Sequence, residues 1–191
     1  MDQKREIIIV TDGDNCAKRA VKKAVENIGG RCISRSGGNP TPLNADKMIT
    51  LIKSAKYDPV VVMVDDEGNE NKGVGEKIIE ELYKHKDIII LGIVVVASNT
   101  PLVKGVHVDF SINETGQIIK SAVDKDGIPT LGNILYGDTV DVVDDCKGPL
   151  IVGIGDIGKM HGKDDACKGS PILTKALQEI MKRSKSKGQD V

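Results

Sequence analysis

Ile88-Ile89-Ile90-Leu91-Gly92-Ile93-Val94-Val95-Val96-Ala97 is a run of apolar residues broken only by a glycine. It lacks the apolar–polar alternation of a strand with one wet face. Unbroken β-branched runs of this kind are buried on both sides, as in a parallel sheet covered by helices. The segments around it fit that reading. An apolar strand spans Glu6–Thr11, and behind it Ala17, Ala20, Val21, Ala24, Val25 and Ile28 recur at helical spacing up to a Gly29-Gly30 stop. A short strand is expected over Arg31–Arg35, followed by the structure-breaking Ser36–Pro42. Asn44 is placed to cap a helix carrying Met48, Ile49, Leu51, Ile52 and Ala55. Asp58-Pro59 leads into a strand over Val60–Val64, and a helix is expected over Val74–His85.

The rhythm breaks between residues 106 and 148, where Val108–Ile112 alternates like a strand with one wet face and the turn sequences Glu114-Thr115-Gly116 and Asp124–Gly127 follow. It resumes with a strand over Pro149–Ile154, a glycine-rich loop, and a last helix lined by Ile172, Leu173, Ala176, Leu177, Ile180 and Met181. Ser170-Pro171 reads as its N-cap and first residue. The expected fold is therefore α/β and three-layered: a mostly parallel sheet flanked by helices, Rossmann-like in plan, with a small β-rich insertion. One domain is expected over residues 1–183, with a polar basic tail over 184–191.

Composition narrows the function. The 191 residues contain one Phe, three Tyr and no Trp, so the stacking platforms used by single-stranded nucleic-acid binders are nearly excluded. With 27 basic and 28 acidic residues the net charge is −1, and no overall field draws the chain to DNA or an anionic membrane. Lys182, Arg183, Lys185 and Lys187 form the only local basic cluster, read as a solvated helix end. Cys16, Cys32, Cys146 and Cys167 include no C-x-x-C pair and read as free thiols in a reducing compartment. No apolar run is long enough for a membrane span, so cytoplasmic synthesis is expected.

Two strands run directly into acids: Ile7–Val10 into Thr11-Asp12-Gly13-Asp14, and Val60–Val64 into Asp65-Asp66. Ligands of open α/β sheets bind outside the carboxyl ends of the strands. Asp12, Asp14, Asp65 and Asp66, joined by Asp156 from the last strand, are thus the candidate ligands for a hard cation, Mg²⁺ or Ca²⁺. The alternative use of such acids is capping, with the carboxylate accepting N–H bonds at a helix start. No cofactor is required by the sequence. A second candidate site is the glycine-rich segment Arg35, Ser36, Gly37, Gly38 and Asn39, with Lys159 and His161, whose backbone N–H groups and cations suit a small anion.

Other motifs fail on context. Gly153-Ile154-Gly155-Asp156-Ile157-Gly158 has the G-x-G-x-x-G spacing, but no helix opens at its last glycine, because Gly162 and Gly169 keep the chain irregular up to Pro171. Asp65 to Glu76 approximates a calcium loop, yet Glu70 stands where the sharp turn needs glycine. His85, His107 and His161 neighbour no Ser or Cys in a nucleophile elbow, which leaves nucleophilic catalysis without support.

The segments IIIVTDGD (Ile7–Asp14), NIGGRCISRSGGNPTPL (Asn27–Leu43), VVMVDDEGNENKGVGE (Val61–Glu76), VVVASNT (Val94–Thr100) and GKDDACKGSPILTKALQEIM (Gly162–Met181) resemble the soluble stage V sporulation protein AE family of spore-forming Firmicutes. The resemblance spans nearly the whole chain. It implies a sporulation protein without assigned catalytic residues, acting in spore germination beside the SpoVA proteins, which move dipicolinic acid with calcium. It further implies a soluble component held at the periphery of the inner spore membrane through an AD-type partner. The order strand-acid-helix, then strand-Asp-Asp-helix, is also similar to Toprim domains, which hold Mg²⁺ for phosphoryl chemistry with a Glu after the first strand and a D-x-D after a later one. This chain has Thr11-Asp12 at the first place and Asp65-Asp66-Glu67 at the second, which puts the nuclease chemistry in doubt.

Overall fold

The computed structural model describes residues 4–66, 73–99, 104–139 and 142–187. Strands β1 (Arg5–Val10), β2 (Arg31–Cys32), β3 (Val60–Met63), β4 (Ile88–Val96), β5 (Val106–His107), β6 (Phe110–Ile112), β7 (Ile118–Ile119), β8 (Ile134–Leu135) and β9 (Leu150–Ile154) are interleaved with helices α1 (Asn15–Ile28), α2 (Ala45–Lys53), α3 (Val74–Lys84) and α4 (Pro171–Lys187). Seven strands form one sheet in the order β2-β3-β1-β4-β9-β6-β7, all parallel except the last pair. The three-layer α/β fold follows.

Each strand feeds two cores because successive side chains leave opposite faces. Ile8, Val10, Met63, Val94 and Val152 meet Ala17, Ala20, Val21 and Ala24 of α1 and Leu173, Ala176, Leu177 and Ile180 of α4. Ile7, Ile9, Val62, Ile93 and Val95 face α2 and α3 through Met48, Ile52, Ile78, Ile79 and Leu82. Gly92, the one break in the long run, has a reason: a Cβ there would lie 2.7 Å from Ile180 Cγ2. Burial of β4 on both faces is complete only over Gly92–Val96. At its amino end Ile89 is 42% exposed and Leu91 half-buried, whereas Ile88, in the core on the side of α2 and α3, is buried.

Two expectations change and a third gains detail. The second strand stops at Cys32 and gives way to a 3₁₀ turn over Ser34–Ser36. Beyond it, the outer edge of β3 is satisfied by hydroxyls: Met63 N donates to Ser36 Oγ at 2.8 Å and Asp65 N to Thr41 Oγ1 at 2.8 Å. The expected β-rich insertion is present, and its place, which the sequence left open, is divided. β6 adds to the main sheet parallel to β9, with β7 outside it, while only β5 and β8 form a separate antiparallel pair. Finally, helix α4 continues to Lys187, so residues 184–187 belong to its last turn. Arg183 lies there over the Phe110 ring, 4.1 Å from its centroid, and donates to Glu179. Residues 188–191 lie outside the described residues. No helix among the described residues is long and apolar enough to cross a membrane.

The chain leaves β1 for α1 on one face of the sheet and leaves β3 for α3 on the other. Connections departing in opposite directions from adjacent strands open a crevice at their carboxyl ends. The acidic turns line that crevice.

Candidate functional site

The crevice is built by loops tied to one another. Thr11 Oγ1 accepts from Val96 N at 3.1 Å, which fixes the end of β1 against β4. Asp14 is the N-cap of α1: its Oδ1 accepts from Ala17 N at 2.8 Å. Asp12 Oδ1 accepts from Asp14 N at 3.2 Å, and the buried Asp65 reaches across from β3 to accept from Gly13 N at 3.1 Å. Asp156, at the end of β9, accepts from Gly158 N at 2.9 Å and pairs with Lys159 Nζ at 2.8 Å.

Asp66 departs from the group. It turns to the start of α3 and accepts from Gly75 N and Glu76 N, with Asp138 as its charged neighbour. The N-cap position of that helix is Gly73, which has no side chain to offer, and a carboxylate from the preceding strand takes its place. Burial raises the Asp66 carboxyl above its usual range, and the two N–H bonds pull it back.

Four of the five expected carboxylates therefore lie near one another, Asp14 among them as the cap of α1, and the fifth, Asp66, turns away to cap α3. Among the described residues no group of three or more His, Cys, Asp or Glu side chains is arranged to hold a metal ion. Glu67 and Glu70, which bear on the Toprim and calcium-loop comparisons, lie outside the described residues.

Asp12 is the electrostatic focus. Removal from water, reinforced by the charges of Asp14, Asp65 and Asp156, pushes its carboxyl up from 3.8 to about 7, against the opposing bond from Asp14 N. The folded protein then holds this proton more tightly than the unfolded chain does. The stability tied to Asp12 is greatest below about pH 4 and is lost as pH rises through about 7. Asp12→Asn keeps the Oδ1 acceptor and removes the charge. Allowing for partial solvent screening, the variant should gain about 1–2 kcal/mol at about pH 8 and almost nothing at about pH 4, as read by chemical denaturation.

The expected anion loop is put to internal use. Ser36 is fully buried, and its hydroxyl donates to Ile33 O at 2.7 Å while accepting from Met63 N. Gly37 N donates to Ser34 O, and the Lys18 stem packs on Gly37. Gly38 abuts Gly13 and Pro42. Arg35 and Asn39 are exposed. Lys159 is held by Asp156, and His161 is an exposed residue at φ 52°. His107 pairs with Asp144 at 3.1 Å, and His85 Nδ1 accepts from Asp87 N beyond the end of α3. All four cysteines are free.

Sequence reasoning passed over Asp164. It is fully buried, and its carboxylate, not the Ser170 hydroxyl, caps α4 by accepting from Ile172 N at 2.7 Å and Leu173 N at 3.1 Å. An Asp seven residues before the helix falls outside the local capping rules, which look one to three residues back.

The molecule is thus a three-layer α/β protein whose acid-rimmed crevice is bound largely into its own loops. The family model for stage V sporulation protein AE1, SpoVAE, matches residues 6–184, and the chain belongs to that family, a family of sporulation proteins. Comparison with the curated proteins and with the solved structures gives no match.

Proposed function

We infer that this SpoVAE-family protein is a non-enzymatic, peripheral component of the SpoVA system, which aids spore germination and the movement of dipicolinic acid by binding an AD-type SpoVA partner at the inner spore membrane. The observation that carries the reading is the use made of the strand-end acids. Asp14 and Asp66 cap helices, Asp65 ties two loops together and Asp156 is paired with Lys159. Such a site serves as a rigid scaffold. Family membership supplies the spore context. A tagged copy isolated from spore inner-membrane fractions should carry SpoVA proteins with it. Recovery wholly in the soluble spore fraction, with no SpoVA protein attached, would sink the reading.

One observation favours a second reading, Toprim-like Mg²⁺-dependent phosphotransfer. Asp12 holds a proton near neutrality in a crevice shared with Asp14, Asp65 and Asp156, as a carboxyl awaiting a cation does. Calorimetry with Mg²⁺ or Mn²⁺ decides it. Binding with proton release, abolished by Asp65→Ala, is the expected signal; an absence of heat from either metal rules the reading out.

A further inference from the structure

A cavity of about 430 Å³ opens beyond the carboxyl end of β4, between residues 97–99 and the part of the insertion, residues 123–136, that includes β8. Its floor is Ala97 and Val123, both buried. Ile134 and Tyr136 form a wall and are 37% and 54% exposed, large apolar side chains that are not covered among the described residues. A cavity of this size, apolar in its walls with a few polar groups at its rim, is the usual form of a small-molecule site, and its place outside the end of a parallel strand is the usual location.

The rim defines the chemistry. Asn99, Thr130 and Asn133 supply neutral amide and hydroxyl groups. Two charges stand among them. Asp124 Oδ1 already accepts from Asp126 N and Ile128 N, both at 2.9 Å, in a closed turn. Lys125, by contrast, has its ammonium in no ion pair among the described residues; only its backbone carbonyl is engaged, accepting from Asp156 N at 2.8 Å. Lys125 is thus the one cationic donor of the lining, Asp124 beside it is engaged by two N–H groups, and the exposed apolar surface is a Tyr ring beside an Ile.

We propose that this cavity binds a small organic carboxylate with a flat apolar body, the carboxylate meeting Lys125 and the rim amides while the body lies against Tyr136 and Ile134. The site is separate from the acidic crevice and independent of the SpoVA reading. The Asp156–Lys125 backbone bond joins the two regions, so occupancy is positioned to be felt at the end of β9.

Sodium benzoate serves as the probe and benzamide as its uncharged counterpart, followed by amide chemical shifts of the full chain. Benzoate is expected to give saturable shifts centred on residues 97–99 and 123–136, with affinity of about a millimolar, as suits a fragment of this size. Benzamide should bind about tenfold more weakly, and Lys125→Gln should weaken benzoate by the same factor, the worth of one charge-assisted hydrogen bond. Lys125→Gln retains the carbonyl that Asp156 N uses. Tyr136→Ala, whose carbonyl still accepts from Ser98 N, tests the apolar wall and should also weaken binding. Thermal melts of both variants establish that they fold. The proposal is overturned by an absence of saturable shifts at these residues, by benzamide binding as well as benzoate, or by folded variants that both bind like the wild type.

Discussion

Gly13→Ala should cost roughly 2–4 kcal/mol of folding stability, although it adds a single methyl group at a loop position. A Cβ built on Gly13 would stand 2.4 Å from Gly38 O, 3.0 Å from Gly38 N and 3.2 Å from Asp65 Cβ. Two of these neighbours are backbone and cannot rotate away. Moving the Ser36–Pro42 loop outward strains Ser36 Oγ and Thr41 Oγ1, the hydroxyls that complete the edge of β3. Moving Asp65 instead breaks its bond to Gly13 N and leaves a buried carboxylate short of a donor. Neither way of making room is cheap. Gly132→Ala is the control, since a Cβ there meets nothing within 4 Å and should shift stability by less than about 0.5 kcal/mol. Urea denaturation of both variants reads the difference, and a Gly13→Ala protein as stable as the control would show that the two loops are not locked together.

That lock marks the boundary of what the sequence discloses. The β/α alternation was legible because it rests on local periodicity: the apolar run of β4 and the 3.6-residue spacing in α1, α2 and α4 are properties of short windows. Capping was legible as the alternative use of the acids before α1 for the same reason, Asp14 being three residues from the N–H it accepts. The other acids were placed correctly at strand ends, but their partners were hidden by distance along the chain. Asp65 reaches Gly13 across 52 residues, and Asp66 reaches Gly75 across nine. Ser36 and Thr41 replace a strand edge through bonds spanning 27 and 24 residues, which is why the second strand was drawn too long. The joining of β6 to β9 in parallel depends on a crossover that no local signal encodes. Only one part of the site, the position of the acids, was written locally; its chemistry depends on which N–H groups the fold delivers to them.

The same logic makes Asp164→Ala the other large expected effect, at about 2–3 kcal/mol. Helix α4 buries Ile172, Leu173, Ala176, Leu177 and Ile180, and forms with α1 one whole outer layer of the protein. Its first N–H groups are closed off from water, and Asp164 is their acceptor. Ser170 gives no substitute: it is buried at φ 47°, with its hydroxyl unpartnered. Alanine at position 164 leaves Ile172 N and Leu173 N without a partner in the interior. Asparagine retains one acceptor oxygen and should recover a large part of the loss. The pH dependence separates charge from geometry. Burial raises the Asp164 carboxyl from 3.8 to about 6, against the opposing bonds from Leu173 N and Ile172 N. The folded state holds the proton more tightly than the unfolded state, so the stability tied to this group is full below about pH 4 and falls as pH rises through about 6. Denaturation midpoints of the wild type should therefore fall relative to those of Asp164→Asn, which has nothing to titrate at this position, as pH rises across that window. An Asp164→Ala protein within about 0.5 kcal/mol of the wild type would mean that α4 is held by its apolar face alone.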